Sequence, residues 1–256
     1  MAQNYEYLGY ALPTGTSDEY ATNALLILAK IEKQFPEFYD SFRCPSEILT
    51  LSGARAFDTY YELGEGISAQ KITDLKKLLL SHGIVLLMEA FPFGNEPELE
   101  TDNRYSLVHV EAFYDMPNRY HHMPKPGWDK PNFTKLTNDN DFFLWWGNWQ
   151  RSILLVPELD ATIKDLLAIS SWTAHDLTFG MLLGYPGEAI ISFGFETEAI
   201  SDAGQNRNAK IKHAEKFDGA HPVYGYLDVV ENHPNIIGHE KLWSDILEKV
   251  YSKLEK

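Results

Sequence analysis

The sequence predicts an α+β fold, a mixed or mostly antiparallel sheet with helices packed on it. Three observations carry that reading. Apolar residues recur at helical spacing in several capped segments, compact apolar runs sit between glycine and turn signals, and the run from Thr173 to Phe195 joins the two patterns. In that run the spacing describes a buried helix stopped by Gly184, turned at Pro186 and fed into a strand over 188–195. The chain has 256 residues, 44% of them hydrophobic, which is ample for a continuous core. One domain over 1–256 is the simplest organisation, with a possible subdomain boundary in the proline-rich stretch 115–140.

Each element has a local reason. Thr16 and Glu19 have capping-box spacing, and Leu25, Leu28, Ile31 and Phe35 follow near helical spacing up to Pro36, which predicts a helix over 17–34. The segment 36–66 is punctuated by Pro45, Gly53, Gly64 and Gly66, and a short helix is expected near 46–61. Ser68 caps a clearer helix with Ile72, Leu75, Leu78 and Leu79 on one face, ended by Gly83. The apolar run that follows predicts an interior strand over 84–90, and 104–114 predicts a second strand paired with it across the acidic loop 94–103.

Pro117, Pro124, Pro126 and Pro131 remove donors and fix φ, so 115–140 reads as a long surface loop. The aromatic-rich stretch 142–156 reads as one or two strands, and Pro157 then opens a helix to about 171. Thr173 with Asp176 caps the next helix. Beyond the strand at 188–195 come a basic helix at 206–217, an extended piece at 222–230 and a final helix from about 239. That last helix aligns Leu242, Ile246, Val250 and Leu254, with Trp243 and Leu247 beside them, and should dock on the body.

Charge and cysteine content narrow the function classes. Lys and Arg total 22 against 37 Asp and Glu, a net charge of −15 that repels phosphate backbones and anionic lipid surfaces. Neither nucleic acid nor membrane is an expected partner, and the cluster Arg207, Lys210, Lys212 and Lys216 reads as a solvated helix face. Cys44 is the sole cysteine, so no internal disulfide or cysteine-rich zinc site can form and a reducing, cytoplasmic location is expected. The first residues lack a basic leader followed by an apolar run, and the sequon at Asn132 is read as chance.

Four constellations bear on chemistry. Gly64, Gly66 and Ala69 match a dinucleotide-binding pattern ahead of a helix and a strand that ends at Glu89. The residues before them, Asp58 to Leu63, do not read as a buried strand, and Glu65 would set a carboxylate beside the phosphates, so a turn before the Ser68 cap is preferred. His109 and Glu111, on one face of the strand expected there, approach metal-ligand spacing with His121 and His122 in the following loop, which would suit a divalent metal and a hydrolase. His175 is a candidate general base, although Asp176 beside it points about 100° away around a helix, and no G-x-S-x-G elbow presents Ser192. Trp145, Trp146 and Trp149, with Tyr185 at a turn and Tyr224 and Tyr226 near another, are candidates for a partner-binding groove. In a strand, Trp145 and Trp146 would face opposite sides, leaving one exposed.

Every enzyme motif has a simpler structural explanation in caps, turns and solvated faces. The functional expectation is therefore a soluble, acidic binding protein that needs no cofactor and recognises a protein partner with a basic surface. The alternative is a metal-dependent hydrolase built on His109, Glu111 and His121 or His122, with His175 as base.

Overall fold

The computed structural model describes residues 10–60, 67–88, 105–120, 132–133, 139–153, 174–190 and 234–254. The fold is α+β: helices with a three-stranded antiparallel sheet. The chain divides into two compact units, one comprising Met1–Thr16, Asp115–Asp129 and Gly147–Asp245, the other Ser17–Tyr114, Lys130–Trp146 and Ile246–Lys256.

The sheet lies in the second of these. Helix α1, Ser17–Gln34, buries Ala21, Ala24, Ile27, Leu28 and Ile31 along one stripe, the spacing of a helix with a single apolar face. Two short 3₁₀ turns at Pro36–Phe38 and Asp40–Arg43 bury Phe38 and Phe42 and lead into α2, Pro45–Ser52, which packs on α1. Pro45 opens α2 because a first-turn residue needs no amide donor, and Gly53 closes it at φ 86°. Strand β1, Phe57–Tyr60, follows. Helix α3, Ala69–Leu80, starts where the Ser68 side chain accepts the Lys71 amide, and Gly83 at φ 71° turns the chain into β2, Ile84–Met88. Strand β3, Tyr105–His109, lies between β1 and β2 and runs antiparallel to both, so α3 joins two parallel strands with a third inserted between them. Tyr105, Ser106, Leu107 and Val108 of β3 are all buried, as a strand covered on both faces requires.

Three sequence expectations give way here. The segment 46–61 is not one helix: α2 ends at Ser52 and β1 occupies Phe57–Tyr60, where Asp58 is buried rather than solvated. The strand expected to reach 114 stops at His109, where α4, Val110–Arg119, begins. The His109 ring accepts the Ala112 amide through Nδ1 at 3.2 Å, the i to i+3 geometry of an N-cap, and that bond converts strand to helix. Pro117 lies inside α4 rather than in a loop. Third, 142–153 is helical, within α5, Asp139–Ile153. Phe142, Trp146 and Trp149 recur at intervals of four and three residues and are all buried, so the aromatic run follows a helical period, and packing overrides its β preference.

The other unit holds α6, Ala174–Leu182, with Leu177, Thr178, Met181 and Leu182 buried, ended as expected by Gly184, here at φ 80°. The strand expected from 188 is replaced over 187–190 by a helical turn in which the Pro186 carbonyl accepts the Ala189 and Ile190 amides; 191–195 lie outside the described residues. A Cβ built on Gly180 would stand 3.0 Å from Ile190, so glycine lets that turn close on α6. Tyr10 bridges to Tyr120, and the Tyr120 hydroxyl donates to the Tyr185 carbonyl at 2.8 Å. The final helix, α7, Pro234–Leu254, begins five residues before the expected start at 239, with Pro234 in its first turn. Its first half buries Ile236, His239 and Trp243 in this unit. Its second half, in the sheet-bearing unit, buries Ile246, Leu247 and Val250, and Lys249 near its end reaches Asp18 in the first turn of α1 at 2.7 Å. Asp18 there sits at the helix end whose dipole favours an anion. Among the described residues no helix is long and apolar enough to cross a membrane.

One contact in the sheet-bearing unit makes stability depend on pH. The Lys30 ammonium donates to His82 Nε2 at 2.8 Å, tying α1 to the turn after α3, and burial followed by the Lys30 charge holds the His82 pKa below its ordinary 6.5. A group whose folded pKa is depressed contributes stability above its unfolded value and loses it as pH falls. Denaturation of both proteins at pH 8 and pH 5 should therefore show wild-type stability falling relative to that of His82→Gln on acidification.

Candidate functional site

The aromatic residues separate into core and rim. In the sheet-bearing unit Phe113 of α4 lies at the centre of a cluster, its ring centroid 5.2 Å from Phe133, 6.1 Å from Phe142 and 5.1 Å from Trp145, with interplanar angles of 62–90°. These are the tilted and edge-to-face arrangements that aromatic quadrupoles favour. Phe113, Phe133 and Phe142 are buried, whereas Trp145 is half-buried and the adjacent Leu144 is 67% exposed. Tyr114, half-buried, packs on Phe133 at 5.9 Å, and burial raises its hydroxyl pKa. The cluster thus runs from a closed core to half-buried Trp145, next to which in the chain Leu144 is exposed. The charged side chain of Glu111 is exposed on α4, the helix against which Trp145 packs.

The other proposed aromatic contacts are placed differently. Trp146 and Trp149 are each 2% exposed, so neither presents a face to a partner, and the alternation expected of a strand does not apply on a helix. Tyr185 is half-buried in the other unit, its ring 6.3 Å from Trp243. Tyr224 and Tyr226 lie outside the described residues.

The histidines are set by their backbone partners. His109 Nδ1 is taken by the Ala112 amide, and its Nε2 faces Gly53. Glu111, in the first turn of α4 instead of on a strand, does not share a strand face with it. His121 and His122 lie outside the described residues, and among the described residues no group of three metal-ligating side chains converges. His175 is on α6, its side chain outside what is described, and the Gly64, Gly66 and Ser192 segments are likewise outside. His239, not singled out from the sequence, is fully buried: Nε2 carries a proton donated to the Gly184 carbonyl at 3.1 Å, and the ring packs on Trp243 at 4.0 Å. Asn235, one turn earlier, donates to Glu188 at 2.9 Å, so α7 grips the end of α6 and the turn after it through polar groups.

A second cluster was not apparent from the sequence. Glu47 of α2, Arg55 and Asp58 of β1 are each at most 4% exposed, and Arg55 pairs with Asp58 at 3.3 Å. Ser46 donates to Glu47 at 2.8 Å. Burial, then the Asp58 charge, pushes the Glu47 carboxyl up to about 7, against the pull of Ser46 and Arg55. Cys44 beside them is exposed, yet desolvation and then the Glu47 and Asp58 charges raise its thiol pKa, which disfavours the thiolate. Tyr251 of α7 donates to the Arg43 carbonyl at 2.9 Å, and its hydroxyl is pushed up to about 12 by burial, then by Cys44 and Glu47. The available signal is a charged triad of mixed sign, Glu47, Arg55 and Asp58, inside the otherwise uncharged stretch 47–58. No protein-family model matches the chain, and no curated protein or solved structure matches it either.

Proposed function

We propose that the chain is a non-catalytic binding protein of a reducing, cytoplasmic compartment, which recognises a protein partner bearing a basic surface. The observation that carries this reading is the open end of the aromatic cluster. Leu144 at 67% exposure and half-buried Trp145 offer apolar contact area, and the rings of Phe113 and Phe142 behind them hold the tryptophan in place. An anchor fixed in its bound orientation loses little side-chain entropy on association. The net charge of −15 supplies long-range attraction for a cationic partner and repulsion for nucleic acid and anionic lipid. The neutral thiol of Cys44 and the backbone engagement of His109 and His239 are consistent with structural duties for these side chains.

The test compares wild type, Leu144→Lys and the control Leu26→Lys, which alters a leucine 52% exposed on α1. Cross-linking followed by mass spectrometry should recover a basic protein with wild type and control, and capture should weaken about tenfold or more with Leu144→Lys. Raising salt from 0.05 to 0.5 M should slow association. Equal capture by all three proteins would remove the Leu144 edge from the reading, and salt-independent association would remove the basic partner.

A further inference from the structure

The buried carboxylates of the sheet-bearing unit point to a form of control that the binding reading does not require. Glu47 comes from the first turn of α2, Asp58 from the second residue of β1, and Arg55 from the connection between them, so the cluster closes that connection on itself. Arg55 is turned to Asp58 at 3.3 Å, and Glu47 accepts the Ser46 hydroxyl instead. Glu47 consequently feels the negative charge of Asp58 more strongly than the positive charge of Arg55. Among the described residues, the other titratable or charged groups that interact with it are the Cys44 thiol at the start of α2 and Tyr251 on α7, with Arg43 beside Tyr251. On β3, His109 lies against Gly53, at the opposite end of α2. Two carboxylates taken out of water at one place are costly to keep ionised together.

We propose that the Glu47–Arg55–Asp58 cluster is a proton-operated latch: the α2–β1 connection closes with one proton held on Glu47, and loss of that proton at mildly alkaline pH loosens α2 from β1. Asp58 remains paired with Arg55. When the Glu47 proton leaves to solvent, its carboxylate is left buried, and the segment relieves this by opening far enough to hydrate it. Linkage fixes the sign. The Glu47 carboxyl titrates near 7 when folded against an ordinary 4.5, so its own contribution to stability is full below pH 4.5, falls as pH rises between the two values and stays lower above 7. The folding equilibrium constant of this unit should shift by on the order of a hundredfold across that window.

The experiment uses the full chain. The ¹³C carboxyl resonance of Glu47 is followed from pH 4 to 9, and amide hydrogen exchange across 47–58 is compared at pH 6 and 8, corrected for intrinsic rates, in wild type and Glu47→Gln. The expected results are a carboxyl titrating near neutrality, protection over 47–58 that drops about tenfold or more at pH 8 in the wild type, and unchanged protection in Glu47→Gln. A carboxyl titrating near 4.5, or parallel protection profiles in the two proteins, would overturn the latch. Failure of Glu47→Gln to fold at pH 6 would overturn it too, since glutamine imitates the protonated side chain on which closure depends.

Discussion

Phe113→Ala is expected to destabilise the sheet-bearing unit by about 3–5 kcal/mol, the cost of removing a fully buried phenylalanine whose neighbours cannot collapse into the space. Phe113 is 0% exposed, and four rings surround it: Tyr114, Phe133, Phe142 and Trp145, with centroids 5.1–6.1 Å away. Planar rings held at tilted angles slide poorly into a cavity, which favours the upper part of that range. Leu144→Ala, at the exposed residue next to Trp145 in the chain, is expected to change stability by less than about 0.5 kcal/mol. Urea denaturation followed by tryptophan fluorescence compares the two. A cost below about 1 kcal/mol for Phe113→Ala would mean that the cluster is not a packed core. The contrast also separates the two parts of the binding reading. Phe113 supports Trp145 from behind, so its loss should weaken partner capture along with stability, whereas Leu144→Lys should weaken capture alone.

The elements that were legible from the sequence are those whose signal is local. The stripe on α1, the Ser68 cap of α3 and the stops at Gly83 and Gly184 depend on neighbours within one or two turns, and the structure places them where the residues indicate. The misread elements depend on distant partners. β1 has four residues, one of them Asp58, and owes its conformation to pairing with β3, some fifty residues away in the chain. The aromatic run of α5 carries residues with high β preference, and the burial of Phe142, Trp146 and Trp149 on one helical stripe decides the matter. His109 was read as a metal ligand because its residue type suits one; its role as the cap of α4 becomes visible once the strand is known to end there. The candidate site divides in the same way. Trp145 is half-buried, while Trp146 and Trp149, nominated with it for a groove, are buried on the helical stripe, and the strand alternation that would set Trp145 and Trp146 on opposite sides does not apply. The Glu47 cluster is hard to read because charged residues in a chain of net charge −15 are ordinarily solvated, and the mixed-sign charges in the stretch 47–58 are the one local hint that these three are buried.

Gly53→Ala should cost about 3 kcal/mol, more than Gly83→Ala, and the expectation rests on two separable costs. Gly53 has φ 86°, a conformation that disfavours any Cβ by roughly 1–2 kcal/mol. The added methyl would also stand 2.9 Å from His109 Nε2 and 3.0 Å from Cε1, so the imidazole has to move. It is not free to do so cheaply, because Nδ1 of the same ring accepts the Ala112 amide, and displacing it forfeits the N-cap of α4, worth about 1 kcal/mol. Gly83 isolates the first cost: φ is 71° and nothing lies within 4 Å of a Cβ built there, so Gly83→Ala should lose roughly 1–2 kcal/mol. Chemical denaturation of both variants, repeated in a His109→Ala background, resolves the two contributions. With the ring removed, Gly53→Ala should cost no more than Gly83→Ala does, and the difference between backgrounds is the energy with which His109 holds α2 and α4 in register. Equal costs for the two glycines in the wild-type background would show that the imidazole yields without penalty, and the capping role of His109 would then have to be given up.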